Sequence, residues 1–553
     1  MRRTFASGCG VLLVGAMLLP AQVEIRGSEW VRLRSAARLI FGWQVGVAAR
    51  SFPGATYFDA VDRAADVLFL RVIEGSGEQT VSGGIAKKLA PGLSEAELGA
   101  VSRRMAEKGV RMISYAAGTV GNDEAAARKL FGFAKSLNVG ILIAKAPSNA
   151  LPLLDRLSQE YGVQVAIEGA GTRELEGRSE RIGLAADLTS VPVVELERMK
   201  GRLRSVHLRA TKDLAAVVAA LNRLDIQPLV MMVDSPGAGD TTANLSQSLR
   251  DLETALQKPA GERVATLSRE APIKGQERLS ADVRTKIAAA VPDHAIVKPK
   301  KTRRMLVMDL TVAYPPTDHL DSGSAANLAL RLAAEKTGAY EAVFSNDIAN
   351  LRYEKLKKFD ALYLNNTVGE VFPDPEIRAS LLRFVREGGG LAAHHGSSHA
   401  GQDWPEFSDM LGARGGTHKT DHETVAIRLD DPASPINASF HGKGFEFNDE
   451  FYRFPAGPPY SRENLHVLLS FDVAKTNMNQ SPACAACLRA DNDYPISWIR
   501  SYGKGRVFYL SLGHNPWIFM TPAFFEHVLA GIQFVLGDLD ADTTPSARLS
   551  GPR

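Results

Sequence analysis

His394, His395 and His399 lie close together at the end of the run 384–400, FVREGGGLAAHHGSSHA, behind a glycine break and a short apolar strand. Imidazole exchanges a proton near neutral pH and is a common ligand for divalent metals, so three of them at a strand end mark a place for chemistry. An ordinary strand-to-helix turn carrying solvated imidazoles is the local alternative. Further along come His418 with His422 and Glu423, then Asp449, Glu450 and Tyr452, then Arg506, and finally His514 after another apolar strand. An imidazole and a carboxylate in one cleft can move a proton beside a carbonyl, and a histidine cluster can hold a metal that polarises it. A second set lies upstream: Glu168, Asp187, His207 and Asp234, each at or near the end of an apolar run. Three carboxylates and one imidazole suit Mn2+, Mg2+ or Zn2+, an ion able to polarise a sugar carbonyl and stabilise an enediolate. The alternative for this set is strand-end carboxylates paired with nearby arginines and lysines.

The elements that must position these residues come in two series. Apolar strands are expected at 42–47, 67–72, 110–115, 139–144, 163–167, 182–186, 205–208 and 228–233, with helices at 95–108, 123–137 and 213–224 among those between them. Eight such units over 39–257 argue for an α/β (β/α)8 TIM barrel, two packed α/β domains being the other arrangement. Glu74 then follows the second strand and Lys145 the fourth, with the carboxylates above at later strand ends. Residues 258–302 turn polar and rich in Pro and Gly, which reads as a linker with one helix at 281–290. A second α/β module follows at 303–538, with strands at 305–310, 341–344 and 361–365, a loop holding His319, Asp321 and Ser322, and a helix at 376–387 running into the glycine break. That alternation implies a mostly parallel, flavodoxin-like or doubly wound sheet. Residues 539–553 are expected to form a disordered tail.

Composition narrows the function classes. The 553 residues are too many for one core, and the 45% apolar and 23% charged fractions are those of a globular protein. A net charge of +3 over this length gives no basic surface for nucleic acid, and the run Lys298–Arg304 reads as a solvated linker end. At the N-terminus, Arg2 and Arg3 precede an apolar run at 11–19 and then Pro20-Ala21-Gln22. The run is too short to span a bilayer and has the layout of a secretory signal over 1–22. The protein is therefore expected to be exported, periplasmic or secreted, without a stable membrane anchor. Cys484 and Cys487, as Cys-Ala-Ala-Cys in a polar loop, suit a small-loop disulfide in an oxidising compartment. Trp404 and Trp517 offer faces on which a sugar could stack, or fill a core.

Two resemblances add to this reading. The segments VAIEGAG, IGLAADLTS, SVHLRAT and LVMMVDS resemble the xylose isomerase-like barrels of sugar phosphate isomerases and epimerases, which implies a divalent-metal site at Glu168, Asp187, His207 and Asp234. GGGLAAHH, the His418 segment, NDEFYRF and YGKGRVFYLSLGH, in that order, are similar to the ThuA-like domain named for trehalose utilisation. That resemblance covers about 303–538 and implies a class I glutamine amidotransferase-like fold without the catalytic cysteine, His395 standing where the elbow nucleophile would be. It places functional roles on His395, His418, Asp449, Glu450 and His514, with His399 where the family carries an acidic residue. Together the resemblances imply a protein acting on a small-molecule carbohydrate, as a sugar isomerase/epimerase-like or keto-sugar-converting enzyme. The alternative is a non-catalytic sugar-binding protein with two degenerate sites.

Overall fold

The computed structural model describes residues 41–549, except 189–191, 200, 209–213, 225–228, 234–240, 316, 373, 481 and 483. The signal-like segment 1–22 and residues 550–553 therefore lie outside the described residues, as does Asp234. The chain divides into two compact units, Met1–Ala260 and Gly261–Arg553.

The first unit is a closed barrel of eight parallel strands. Around the ring they run Trp43–Ala48, Leu229–Val233, Leu203–Leu208, Ile182–Asp187, Gln164–Glu168, Ile141–Lys145, Arg111–Thr119 and Val72–Ser76. The expected (β/α)8 architecture is therefore present. Local signals set the helices between the strands. Glu95–Lys108 starts at a capping box in which Ser94 and Glu97 satisfy each other's backbone N–H, and it stops at left-handed Gly109. Glu124–Ser136 starts at Asp123, whose carboxylate accepts from two backbone N–H groups of the first turn. Apolar residues, mostly small or branched, among them Ala48, Val72, Ile143, Ala166 and Ala185, with Met232, fill a buried cluster shared by the strands.

One strand departs from expectation with a consequence for the site. The second strand spans Val72–Ser76, not 67–72, because Arg63–Val67 continues the preceding helix as a wider π-type turn and Phe69 takes a positive φ of 53°. Glu74 therefore lies within the strand, buried, instead of in a loop after it.

Residues 258–270, expected as the start of a linker, are the last turns of the helix Thr241–Glu270, with Pro259 inside it. Proline removes one helical hydrogen bond, yet Leu245, Leu249, Leu252, Leu256, Ala260 and Val264 form a buried stripe at helical spacing that outweighs the local break. The expected helix Ala281–Ala290 is present, capped by Ser280.

The second unit is built on a nine-stranded sheet. From one edge the order is Glu341–Phe344, Arg304–Met308, Ala361–Asn365, Gly390–His394, Gly505–Leu510, Pro495–Tyr502, His466–Phe471, Glu423–Leu429 and Phe445–Asp449. The first five are mutually parallel, and the rest add antiparallel, so the sheet is mixed where a mostly parallel one was expected. The parallel half carries the doubly wound character and brings several strand ends to one edge. The Cys484–Cys487 disulfide closes the small loop before Pro495–Tyr502. The tail expected to be disordered is held through residue 549: Ser546 and Ala547 donate to the carbonyls of Leu465 and Arg462, and Thr544 accepts from His466. Its polar composition hid these backbone pairings. Among the described residues no helix is long and apolar enough to cross a membrane.

Candidate functional site

In the second unit, helix Pro375–Arg386 begins at Asp374 with Pro375 in its first turn, and Gly388, at φ 125°, turns the chain into the buried strand Gly390–His394. His395 follows directly, at φ 42° in the left-handed region that a histidine rarely adopts. Three contacts hold this strained elbow. The His395 Nδ1–H donates to the Ser511 carbonyl at 2.8 Å, the His395 carbonyl accepts from Tyr509 Oη at 2.7 Å, and the Gly396 N–H donates to Asn366 Oδ1 at 2.9 Å. The imidazole lies on the ring of Tyr452, centroids 4.3 Å apart.

Two further strand ends bring imidazoles to the same place. His514 follows the strand Gly505–Leu510, and Gly513, at φ 118°, passes so close to the His394 ring that a side chain would collide with it. His319 comes from the loop after Arg304–Met308 and immediately precedes the helix Leu320–Thr337, at a positive φ of 50°. Ligand atoms of His319, His395 and His514 all lie within 4.8 Å of one another. Glu450, just beyond Phe445–Asp449, closes the group. Its carboxylate lies 3.3 Å from His395 Nε2, 3.1 Å from His418 Nδ1 and 3.7 Å from His514 Nδ1.

The electrostatics follow from geometry. Because His395 Nδ1 spends its proton on a carbonyl, Nε2 carries a lone pair in the neutral ring. That atom is buried without a hydrogen-bond partner and faces a carboxylate oxygen. Two acceptors opposed at 3.3 Å in a dry cleft repel each other unless a proton or a cation lies between them. Burial, with His319 and His514 nearby, pushes His395 well below the usual histidine range, and burial lowers His514 as well. Three imidazoles whose ligand atoms converge are a ligand set for Zn2+ or a similar ion, with the Glu450 carboxyl beside it.

The other expected residues divide. Asp449 is fully buried and braces the loop: its carboxylate accepts from the Gly513 N–H, the Asn515 N–H and Asn515 Nδ2, on either side of His514. Burial pushes this carboxyl up to about 7. His418 reaches Glu450 from a half-exposed position. His394 turns away, with Nδ1 at Tyr363 Oη and its ring against Phe519. His399 bonds Gln402, and burial lowers it to about 4. Glu423 is sealed in a two-pronged pair with Arg453, and His422 stacks on Trp517. Arg506 sits at the start of its strand, bound to Asp540, away from the strand end that carries His514. Trp404 is buried between Phe372 and Phe407 and is core. His319 stands in a polar loop with no second histidine beside it in the sequence, yet it follows a strand end as His395 and His514 do.

In the barrel, Glu168 and Asp187 close their strands, and Asp187 and His207 are register partners on adjacent strands. Among the described residues they do not form a group with convergent ligand atoms. His207 instead meets Glu74, which the misplaced second strand had put in a loop: Nε2 lies 3.1 Å from both carboxylate oxygens. Arg50 bonds Glu74 at 3.0 Å and reaches His207 Nδ1 at 3.3 Å, while Ser114 donates to the other Glu74 oxygen. Burial works to raise the Glu74 carboxyl, but His207, Arg50 and Ser114 outweigh it and hold it below the usual carboxylate range. A cavity of about 940 Å³ opens here, lined by Arg50, Tyr115, Lys145, Glu168, Asp187 and His207 among others.

Several solved structures are similar to parts of the chain. A thua-like protein from Bacteroides uniformis is 20% identical over 45% of this chain and 98% of its own, with a TM-score of 0.37. D-psicose 3-epimerase with D-tagatose from Clostridium cellulolyticum is 11% identical over 39% of this chain and 97% of its own, with a TM-score of 0.30. A xylose isomerase domain protein from Planctomyces limnophilus is 14% identical over 40% and 97%, with a TM-score of 0.28. No curated protein matches the chain. Residues 310–535, the segment that supplies His319, His395, Glu450 and His514, match the family model ThuA, described as trehalose utilisation.

Proposed function

We propose that the protein is exported and acts on a sugar or keto-sugar in the second unit, through His319, His395, His514 and Glu450. The observation that carries this reading is the unpartnered Nε2 of His395 facing Glu450 Oε1 at 3.3 Å, a geometry that calls for a cation or a proton between them. The match to the trehalose utilisation model over this segment supports a carbohydrate as the substrate class. A divalent ion held by the three histidines would supply Lewis-acid polarisation of a sugar carbonyl. Glu450 is the group to take a proton from the carbon beside that carbonyl and return it, its carboxylate already within reach of three imidazoles that shape its surroundings. His418, half-exposed and 3.1 Å from Glu450, is the route by which that proton exchanges with solvent. Tyr452 orients His395 by stacking and narrows the cleft. Asp449 fixes the loop that presents His514.

The test is exchange of a sugar's carbon-bound proton in D2O, followed by NMR with fructose and with oxidised (keto) glucosides as probes. Wild type is expected to exchange deuterium next to the carbonyl, Glu450→Gln to lose at least about 100-fold, as for removal of a general base, and Asp187→Asn to keep it. Exchange by Glu450→Gln at the wild-type rate overturns the assignment.

A further inference from the structure

The barrel offers a second site of a different kind, resting on observations separate from the histidine cluster. Arginine has only donors, so the contact between Arg50 Nη2 and His207 Nδ1 makes Nδ1 the acceptor. His207 then carries its proton on Nε2, and that N–H donates to Glu74. The one lone pair with which this imidazole could bind a metal is therefore taken by a guanidinium N–H. The same guanidinium brings a permanent positive charge, anchored to buried Glu74, against the imidazole nitrogen that a divalent ion would use. Among the described residues, Glu168, Asp187 and His207 do not fit the divalent ion that a xylose isomerase-like barrel implies.

The cavity above this triad sets the ligand class. Among the described residues its cations are Lys145 and Arg50, against the carboxylates of Glu78, Asp123, Glu168 and Asp187. An excess of carboxylates repels a phosphorylated or carboxylated sugar, while carboxylate oxygens accept well from hydroxyl groups. At about 940 Å³ the space is ample for a disaccharide. We propose that the barrel is a metal-free binding site for an uncharged, polyhydroxylated carbohydrate, with Arg50 as the fixed cation in the place of a metal.

Calorimetric titration of the full-length chain carrying His395→Ala and His514→Ala, which silences the second unit's cluster, tests both halves. The probes are Mn2+, trehalose, glucose and glucose 6-phosphate, before and after EDTA, with thermal melting and circular dichroism confirming the fold of each variant. The expected result is no Mn2+ binding, and binding of trehalose or glucose that EDTA leaves unchanged. That binding should exceed glucose 6-phosphate binding and fall about tenfold or more in Glu168→Gln. Adding Arg50→Met should free His207 Nδ1 and raise Mn2+ affinity at least about tenfold. Mn2+ binding that Asp187→Asn abolishes overturns the metal-free assignment, and an Arg50→Met chain with no gain in Mn2+ affinity overturns the role given to Arg50. Preference for glucose 6-phosphate overturns the uncharged class. Absence of binding by both neutral sugars overturns the site.

Discussion

Acid lability of the second unit, traced to one residue outside the site, gives a quantitative prediction. His527 sits in the helix Pro522–Val535, fully buried, with its ring near those of Phe440 and Phe508. Its Nδ1–H donates to the Ile436 carbonyl at 3.1 Å and its Nε2 accepts from Ser497 Oγ at 2.9 Å, so the neutral ring is fully satisfied. Burial lowers it to about 4, the Ile436 carbonyl opposing only in part. The unfolded chain, with an ordinary histidine near 6.5, takes up the proton first as the pH falls. Stability is therefore complete above about 6.5 and is lost progressively down to about 4. With these two values the loss is about 2 kcal/mol at pH 5 and about 3 kcal/mol at pH 4. Urea unfolding of wild type and His527→Gln at pH 7 and pH 5, followed by tryptophan fluorescence, to which buried Trp498 of this unit contributes, isolates this contribution. The glutamine costs about 1–3 kcal/mol at pH 7 through imperfect hydrogen bonds, but it cannot titrate. Wild type should lose about 2 kcal/mol more than the variant between the two pH values. An equal loss in both proteins refutes the reasoning, because every other histidine is common to them.

Two further outcomes test the frame around the site. Glu423→Gln should cost about 3–5 kcal/mol by leaving the Arg453 guanidinium buried without its counter-charge, and Glu423→Leu with Arg453→Met should recover most of it; chemical denaturation measures both. Reduction of Cys484–Cys487, whose loop is very short, should cost no more than about 2 kcal/mol, read as the shift in unfolding midpoint with and without dithiothreitol.

What was legible in the sequence was whatever local pattern decides. Apolar runs alternating with helical stretches announced the barrel, and the glycine break marked the elbow at His395. Convergence was less legible: the three histidines follow strands that lie close together in the sheet order, whereas Glu450 follows the far edge strand and is brought in through the Asp449 bonds to Gly513 and Asn515. His319 passed unselected for lack of a neighbouring histidine to draw attention to its loop. Glu74 was misplaced because Val67–Phe69 looks like a strand while the backbone there is ending a helix. Asp234, placed with the barrel's ligands, lies outside the described residues. Pro259 and the polar tail misled for one shared reason. Composition suggests a break or disorder, whereas a buried stripe in one case and backbone hydrogen bonds in the other decide the structure.

The central claim is that the second unit's three histidines hold a divalent cation beside Glu450. Metal analysis of the full-length chain, dialysed with Zn2+ and compared across His395→Ala, His514→Ala and Asp187→Asn, tests it most directly. About one equivalent in wild type and in Asp187→Asn, lost in both histidine variants while their folds persist, is the predicted result. A metal retained in the histidine variants and lost in Asp187→Asn would contradict the account.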